Sequence, residues 1–140
     1  MKTALAFGSF DILHPGHLHY LKAASRYGRL IVIVARDSSI RKLKGRSPVM
    51  DENSRLELVG SLKFVDKAVL GGRIRRWNDA YNILLEYKPD FLVFGYDQNV
   101  DMDYLHGFLA RNGIRPRIVR LKAHNKKSHK STLIRKALGI

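Results

Sequence analysis

The amino-acid sequence predicts a doubly wound α/β fold, in which a Rossmann-like parallel sheet of about five strands carries helices on both faces. One supporting observation is that short apolar runs alternate with segments whose apolar residues recur at helical spacing. Another is that residues 30–35, Leu-Ile-Val-Ile-Val-Ala, lack the polar alternation of a half-exposed strand. Such a run is typical of a strand covered on both faces, and hence of a parallel sheet. The length of 140 residues suits one domain, which we place at 1–140.

Composition and charge narrow the class of protein. A hydrophobic content of 45% argues against a disordered chain, and no apolar run reaches the ~18 residues that a membrane-spanning helix needs. The chain contains no cysteine, which excludes disulfide bonds, a cysteine nucleophile and a cysteine-based metal site. No signal peptide is apparent, and we expect a cytoplasmic protein. The net charge of +14 favours polyanionic partners such as nucleic acid, an acidic membrane surface or polyphosphate ligands.

The first half of the chain predicts a strand–helix–strand unit, then a basic loop and a second helix. The apolar run 3–7 predicts the first strand, and a helix is under way by about His17. Residues 30–35 predict the second strand. Residues 40–50 are predicted to form an irregular loop, because a glycine and a proline interrupt this basic segment. Asp51 is predicted to cap the next helix. The buried stripe of that helix is predicted to contain Leu56, Val59 and Leu62.

The second half continues the alternation of strands and helices. The predicted strands are 67–70, 91–94 and 117–121, and the last of them alternates like an edge strand. Two predicted helices between them present apolar faces. These faces contain Tyr81, Ile83, Leu84 and Leu85 in the first helix, and Tyr104, Leu105, Phe108 and Leu109 in the second. The second helix is predicted to end at Asn112–Gly113, and Ser131 to cap a last helix.

The turn between the first predicted strand and helix is rich in glycine and histidine. Pro15 suits the first turn of a helix, where its missing N–H would be unpaired in any case. Gly8 and Gly16 let backbone or ligand approach closely. His14 and His17 stand three residues apart at the helix entry, so both rings can face one ligand. The free amides and positive dipole end of this helix, together with two imidazoles, predict a phosphate site.

The predicted topology also indicates where this site lies. In a doubly wound sheet, ligands bind at the carboxyl ends of the strands, where the strand order reverses. The turns at Phe7–Gly8 and Phe94–Gly95 follow two buried strands, so we expect the chemistry to converge there. A metal site built on His14 and His17 would need a third ligand that the sequence does not offer. We therefore predict no metal site made of protein ligands.

Two motifs carry a resemblance to a known family. Residues 8–11 read Gly-Ser-Phe-Asp, of the pattern Gly-x-Phe-Asp, and residues 14–17 read His-Pro-Gly-His, of the pattern His-x-Gly-His. Together they resemble the signature of the cytidylyltransferase-like nucleotidylyltransferase superfamily. The resemblance implies an enzyme that transfers a nucleotidyl group from a nucleoside triphosphate to a phosphorylated small molecule and releases pyrophosphate. Donors fixed near the α-phosphate by His14 and His17 stabilise the transition state of such a reaction.

The resemblance also implies roles for particular residues. The expected catalytic residues are His14, His17 and Lys44. The nucleotide is expected to bind at Gly8, Ser9, Phe10, His14, His17, Asp97, Gln98, Ser131, Thr132 and Arg135. The acceptor substrate is expected to contact Asp11, Lys44, Arg46 and Arg55. One departure is Gln98, which stands where glycerol-3-phosphate cytidylyltransferases have tryptophan.

The local sequence is most similar to that of archaeal-type FAD synthases, for example in Leu-Lys-Gly-Arg at 43–46 and Gly-Tyr-Asp-Gln at 95–98. This similarity implies ATP as the donor, FMN as the acceptor and a divalent metal ion, most simply Mg²⁺, bound with the triphosphate. It is also compatible with a homodimer. Some of those enzymes carry redox-active cysteines towards the C terminus, and this chain has none.

Two alternatives stay open at this point. One is a glycerol-3-phosphate cytidylyltransferase, or another polyol- or sugar-phosphate cytidylyltransferase, because selection of CTP over ATP needs only a few hydrogen bonds. The other comes from a different class. A net charge of +14 is compatible with a nucleic-acid-binding module that keeps the same fold without the activity.

Overall fold

The structure, a computed structural model, describes residues 1–123. Strands alternate with helices along this part of the chain. The strands are β1 (Thr3–Gly8), β2 (Arg29–Val34), β3 (Lys67–Leu70), β4 (Phe91–Phe94) and β5 (Arg117–Arg120). The α-helices are α1 (Pro15–Ser25), α2 (Asp37–Lys44), α3 (Glu52–Gly60) and α4 (Met102–Asn112), and a 3₁₀ helix spans Trp77–Leu85.

The strands form one parallel sheet in the order β3-β2-β1-β4-β5. The central strand β1 pairs with β2 on one side and with β4 on the other, so that Leu5 lies between Ile31 and Leu92. The chain builds one half of the sheet through β2 and β3, and then crosses to β4 and β5. The strand order therefore reverses between β1 and β4, where ligands bind in such sheets. This topology confirms the predicted doubly wound fold.

Helices cover both faces of the sheet, as strands without polar alternation require. Successive residues of a strand point to opposite faces, so Ala4 and Ala6 belong to one core and Leu5 to the other. On the first face, α1 and α3 contribute Leu21, Ala24 and Val59 to the core. On the second face, the 3₁₀ helix and α4 contribute Tyr81, Leu84, Leu105, Phe108 and Leu109.

The helix ends follow from local chemistry. Asp51 caps α3 by accepting a hydrogen bond from the backbone N–H of Ser54 at 2.8 Å, as predicted. Gly113 ends α4 in the left-handed conformation with a φ of 65°, which confirms the predicted end at Asn112–Gly113. Gly45 ends α2 in the same way, with a φ of 70°.

The predicted irregular loop at 40–50 is wrong in its first part, which belongs to α2. The buried residues of α2 are Ser39 and Ile40, and its apolar residues are only Ile40 and Leu43, so the apolar pattern is too short to indicate a helix. The basic residues lie in the last turn of α2, where cations interact favourably with the negative end of the helix dipole. The charge pattern that suggested a loop is therefore part of what stabilises the helix.

Smaller differences concern the other helices. The helix predicted around Tyr81 is a 3₁₀ helix, in which Leu85 is 47% exposed instead of belonging to the core. In α3, Val59 is fully buried, whereas Leu56 and Leu62 are partly buried. The last predicted helix, capped by Ser131, lies outside the described residues. Within residues 1–123 no helix is long and apolar enough to cross a membrane.

Candidate active site

The turn that follows β1 lies at the carboxyl edge of the sheet, where the strand order reverses. Its tightest point is Phe10, which has a φ of 54° and is buried. The Phe10 ring lies across Gly8, where a Cβ atom would be 2.6 Å from Phe10 Cζ, so this position requires glycine. The same ring contacts His17 edge-on, with 5.3 Å between the ring centroids. Phe10 therefore packs against the His17 ring and helps to fix its position.

The two histidines cap α1. His14 is the N-cap residue, and its Nδ1 atom accepts a hydrogen bond from the backbone N–H of Gly16 at 3.1 Å. Nδ1 of His17 accepts a hydrogen bond from the backbone N–H of His14 at 3.3 Å. The two rings stack, with their centroids 3.8 Å apart. Because each Nδ1 is an acceptor, a neutral ring carries its proton on Nε2. Each imidazole therefore presents an Nε2–H donor.

His17 is held in the neutral form. Burial is the main cause that lowers its pKa, and the nearby His14 and Lys44 lower it further, to about 3. Near neutral pH the ring thus offers a hydrogen-bond donor without a net charge. The positive dipole end of α1 lies beside this donor, whereas the first backbone N–H groups of the helix, those of Gly16 and His17, already donate to His14. Such an arrangement suits the oxygens of a phosphoryl group.

Lys44, at the end of α2, reaches the same turn. Its Nζ atom donates a hydrogen bond to Oγ of Ser9 at 3.1 Å. Burial lowers the pKa of Lys44, and the neighbouring Arg46 and Arg55 lower it further. The structure therefore brings together the three residues that were predicted to be catalytic, one of them from a helix that the sequence did not predict.

Asp11 lies in the same turn but has a different environment from the one expected for an acceptor-binding residue. Its side chain is buried, and its two carboxylate oxygens accept hydrogen bonds from the backbone N–H groups of Val49 and Met50 at 2.9 and 2.8 Å. Asp11 thus fastens the segment before α3 to the turn after β1. The expected contact with the acceptor does not fit this placement, because the carboxylate is already used inside the protein.

Arg55 differs from the prediction in the same way. It is 0% exposed, and its guanidinium donates to the backbone oxygens of Ser9 and Ala35, each at 2.7 Å. A third bond goes to the backbone oxygen of Met50 at 3.0 Å, and Nη2 pairs with Asp37 Oδ1 at 2.7 Å. The expected contact with the acceptor phosphate does not fit a buried and fully paired guanidinium. Arg55 joins four segments around the site instead.

Gln98 bridges the two strands at the switch point. Its Nε2 atom donates to the backbone oxygen of Phe7, at the end of β1, at 2.7 Å. Its Oε1 atom accepts from the backbone N–H of Gly95, just after β4, at 2.8 Å. The side chain is therefore engaged in joining the strands, while Asp97 beside it is exposed.

Two residues at this junction were not predicted from the sequence. The hydroxyl of Tyr20 donates to the backbone oxygen of Val93 at 2.8 Å and accepts from the backbone N–H of Phe7 at 3.2 Å. Burial raises the pKa of Tyr20, so the phenol stays protonated. Arg120 donates to the backbone oxygen of Gly95 at 2.8 Å. A tyrosine on an apolar helix face is usual, so no sequence signal indicated its role.

Some predicted residues remain to be placed. Arg46 is exposed and follows Lys44 beyond the glycine that ends α2. The expected triphosphate-binding residues Ser131, Thr132 and Arg135 lie outside the described residues. Across the described part of the chain, no group of three or more His, Cys, Asp or Glu side chains could hold a metal ion.

Comparisons with known proteins agree with this architecture. A family model described as cytidylyltransferase-like matches residues 5–137. A protein named FAD synthase from Thermoplasma volcanium is 42% identical over 139 residues, which cover 99% of this chain and 94% of that protein. The FAD synthase of Thermoplasma acidophilum shows the same identity and coverage.

One solved structure is similar to this chain over almost the whole of its own length. It is described as the lipopolysaccharide core biosynthesis protein from Thermoplasma volcanium GSS1, and it is 44% identical with a TM-score of 0.80. The match covers 89% of this chain and 99% of that one. The chain therefore belongs to the cytidylyltransferase-like family, and it is a nucleotidyltransferase related to archaeal FAD synthases.

Proposed function

We propose that this protein transfers the adenylyl group of ATP to FMN and so forms FAD and pyrophosphate. The names of its archaeal relatives, at 42% identity over almost the whole chain, support this choice of substrates. These names do not favour the CTP-dependent alternative or the nucleic-acid-binding alternative. We also propose that 1–140 acts as one catalytic domain, since the family match spans residues 5–137.

In this reaction an oxygen of the FMN phosphate attacks the α-phosphorus of ATP. A new P–O bond forms while the bond to the bridging oxygen breaks, and pyrophosphate leaves with that oxygen. Attacking and leaving oxygens lie roughly in line in such transfers. Negative charge develops on the α-phosphoryl oxygens, and donors fixed at that point stabilise the transition state more than the ground state.

The observation that carries the proposal is the pair of capping histidines. Nδ1 of His14 and of His17 each accept a backbone hydrogen bond, which leaves Nε2–H of each ring as a fixed donor beside the N terminus of α1. The two rings stack with their centroids 3.8 Å apart, so the two donors belong to adjacent side chains. We place the α-phosphate of ATP there, with Lys44 next to the acceptor phosphate.

The other predicted residues differ in whether their side chains lie at the surface or are bonded inside the protein. We propose that the backbone at Gly8, Ser9 and Phe10 and the exposed Asp97 contact the nucleotide. Lys44 and Arg46 then contact the acceptor phosphate. Gln98 acts by holding β1 and β4 together, and Asp11 and Arg55 act by positioning the segments around the site. The proposal for the triphosphate includes Ser131, Thr132 and Arg135.

A divalent ion fits this site only as part of the nucleotide complex. Mg²⁺ commonly keeps several waters and binds through substrate phosphates with one or two carboxylates, so it does not need a protein cage. Bound in this way, the ion supplies charge neutralisation on the triphosphate. The protein's own donors then act on the α-phosphate.

A substrate matrix tests the proposal. Each of ATP, CTP, GTP and UTP is incubated with FMN, glycerol 3-phosphate or phosphopantetheine, and pyrophosphate release is measured. We expect release with ATP and FMN together, and FAD as the second product. Release with CTP and glycerol 3-phosphate instead would support the cytidylyltransferase alternative. No release in any pair, with salt-dependent binding to an oligonucleotide, would support the nucleic-acid-binding alternative.

A further inference from the structure

A second pocket opens at the carboxyl ends of β2 and β3. It encloses about 390 Å³ and is lined in part by Arg36, Arg41 and Arg73. Arg36 lies just beyond β2, and Arg73 lies just beyond β3 after the two glycines that end it. The pocket therefore shares the carboxyl edge of the sheet with the histidine site, but lies on the other side of β1 from β4.

The carboxylates that line this pocket are already engaged. Asp51 caps α3 through Ser54. Glu52 accepts from the backbone N–H of Asp37 at 2.9 Å and pairs with Arg36 at 3.5 Å. Asp37 itself pairs with the buried Arg55. The acidic groups thus serve the protein's own amides and guanidinium groups, and do not form a free cation site.

Two guanidinium groups are left over for a ligand. Arg41 and Arg73 are exposed, and the guanidinium group of neither forms a hydrogen bond or ion pair within residues 1–123. Ser38 and Asn53 add a hydroxyl and an amide to the same lining. The pocket therefore offers several donors and few free acceptors. A ligand rich in carbonyl oxygens matches this set better than a cation does.

The geometry of α2 connects this pocket to the active site. Ser38, Arg41 and Lys44 are spaced three residues apart, so they form one row along the helix. The rise from Ser38 to Lys44 is roughly 9 Å at ~1.5 Å per residue. A ligand whose phosphate lies at Lys44 can thus extend along the row and reach Arg41 with its other end.

We propose that this pocket binds the flavin ring of the acceptor through its carbonyl-bearing edge, with Arg41 and Arg73 as the residues that recognise it. This proposal rests on the proposed function, because the acceptor phosphate must lie at the histidine pair for transfer. In-line transfer places the attacking oxygen of the acceptor opposite the leaving pyrophosphate. The proposed nucleotide contact, Asp97, lies beyond β4, which leaves the part of the edge beyond β2 and β3 for the rest of the acceptor.

The test compares two flavins that differ in the phosphate. Binding of FMN and of riboflavin is measured by quenching of flavin fluorescence, for the parent and for Arg41→Ala, Arg73→Ala and the double variant. Lys42→Ala and Arg75→Ala, which change cations of the same segments outside the pocket lining, are the controls. We expect each pocket substitution to weaken binding of both flavins about tenfold, since a charge-assisted hydrogen bond is lost. The KM for FMN should rise accordingly, while the KM for ATP stays within about twofold.

Other outcomes would overturn the inference. If the parent does not bind riboflavin, or if the pocket variants bind both flavins like the parent, the pocket does not recognise the ring. If only FMN binding weakens, the arginines bind phosphate instead. These results are separate from the proposed function, which fails if the parent makes no FAD from ATP and FMN. Thermal unfolding of each variant checks that the exposed substitutions leave the fold intact.

Discussion

His14 and His17, near the start of α1, each combine helix capping with the presentation of a hydrogen-bond donor. Ser or Asp at the position of His14 would also cap the helix, but ionised Asp has no donor, and the Ser O–H lies on the same oxygen that accepts the capping bond. An imidazole has two nitrogens, so one can accept from an amide while the other donates to a ligand. The capping bonds of His14 and His17 thus fix the orientation of two donors before substrate arrives. Such preorganisation is a large contribution to many catalysed transfers.

Substitution of either histidine should therefore affect turnover more than substrate binding. We expect His14→Ala and His17→Ala each to lower kcat by roughly two to three decades, as is typical when one transition-state donor is removed. Steady-state kinetics with ATP and FMN measure this. His14→Ser, which restores a capping group without the Nε2–H donor, should show the same loss, and His106→Ala on the exposed side of α4 is the control. Turnover like that of the parent in both alanine variants would rule out the catalytic role.

The neutral state of His17 predicts a pH dependence of stability. Its folded pKa of about 3 lies below the ordinary histidine pKa of 6.5, so the unfolded chain binds one more proton between these two pH values. Stability from this residue is fully present above about pH 6.5 and is lost as the pH falls towards about pH 3, by up to ~1.4 kcal/mol per pH unit. The free energy of unfolding, measured by urea unfolding between pH 3 and pH 6.5, should depend less steeply on pH in His17→Asn than in the parent. An unchanged slope would mean that His17 is protonated in the folded protein.

The two lysines of α2 provide a matched comparison. Lys44 contacts Ser9 in the site, whereas Lys42 is exposed and its ammonium group forms no hydrogen bond or ion pair within residues 1–123. We expect Lys44→Ala to lower kcat/KM for FMN much more than Lys42→Ala does, because Lys44 loses a charge beside the acceptor phosphate. The reverse order would show that the wrong cation has been assigned to the site.

At the scale of elements, Arg55 holds several secondary structures in register. Its guanidinium links the turn after β1, the end of β2, the first residue of α2 and the segment before α3. Asp11 adds a second link between the same turn and the segment before α3. Lys44 lies at the far end of α2, so its position depends on this frame. A planar fork with five donors is needed for such a junction, and lysine cannot replace it.

Removal of this junction should destabilise the fold. We expect Arg55→Met to lower the free energy of unfolding by about 3 kcal/mol or more, since it leaves Asp37 and three carbonyl groups without their partner. Arg55→Lys should lose less than Arg55→Met, and Arg115→Met, at an exposed position after α4, should change stability by less than about 0.5 kcal/mol. Urea unfolding measures all three. A loss for Arg55→Met no larger than that for Arg115→Met would contradict the role of Arg55 as a junction.

For the whole molecule, the sheet order sets the position of the site. Reversal of the strand order opens a cleft between the ends of β1 and β4, and Gln98 and Tyr20 close its base by bonding to the backbone of both strands. The histidine turn lies above this base. In the binding mode that we propose, the nucleotide and the acceptor extend to opposite halves of the sheet.

Much of this arrangement could be predicted from local patterns. The strands were predicted from apolar runs, and two helix ends were predicted from Asp51 and Gly113. These signals act within a few residues along the chain. The histidine site could also be located, since its glycine, proline and histidine residues are contiguous. The helix α2 was not predicted, because only two of its eight residues, Ile40 and Leu43, are apolar. Burial of Arg55 depends on carbonyl groups from distant segments, which no local pattern reveals.

The most direct test of the account is a structure of the protein with an ATP analogue that cannot be cleaved between the α- and β-phosphates. We predict that the oxygens of the α-phosphate lie within hydrogen-bond distance of Nε2 of both His14 and His17, at the N terminus of α1. A triphosphate bound elsewhere, with the two imidazoles not in contact with any phosphate, would contradict the central claim.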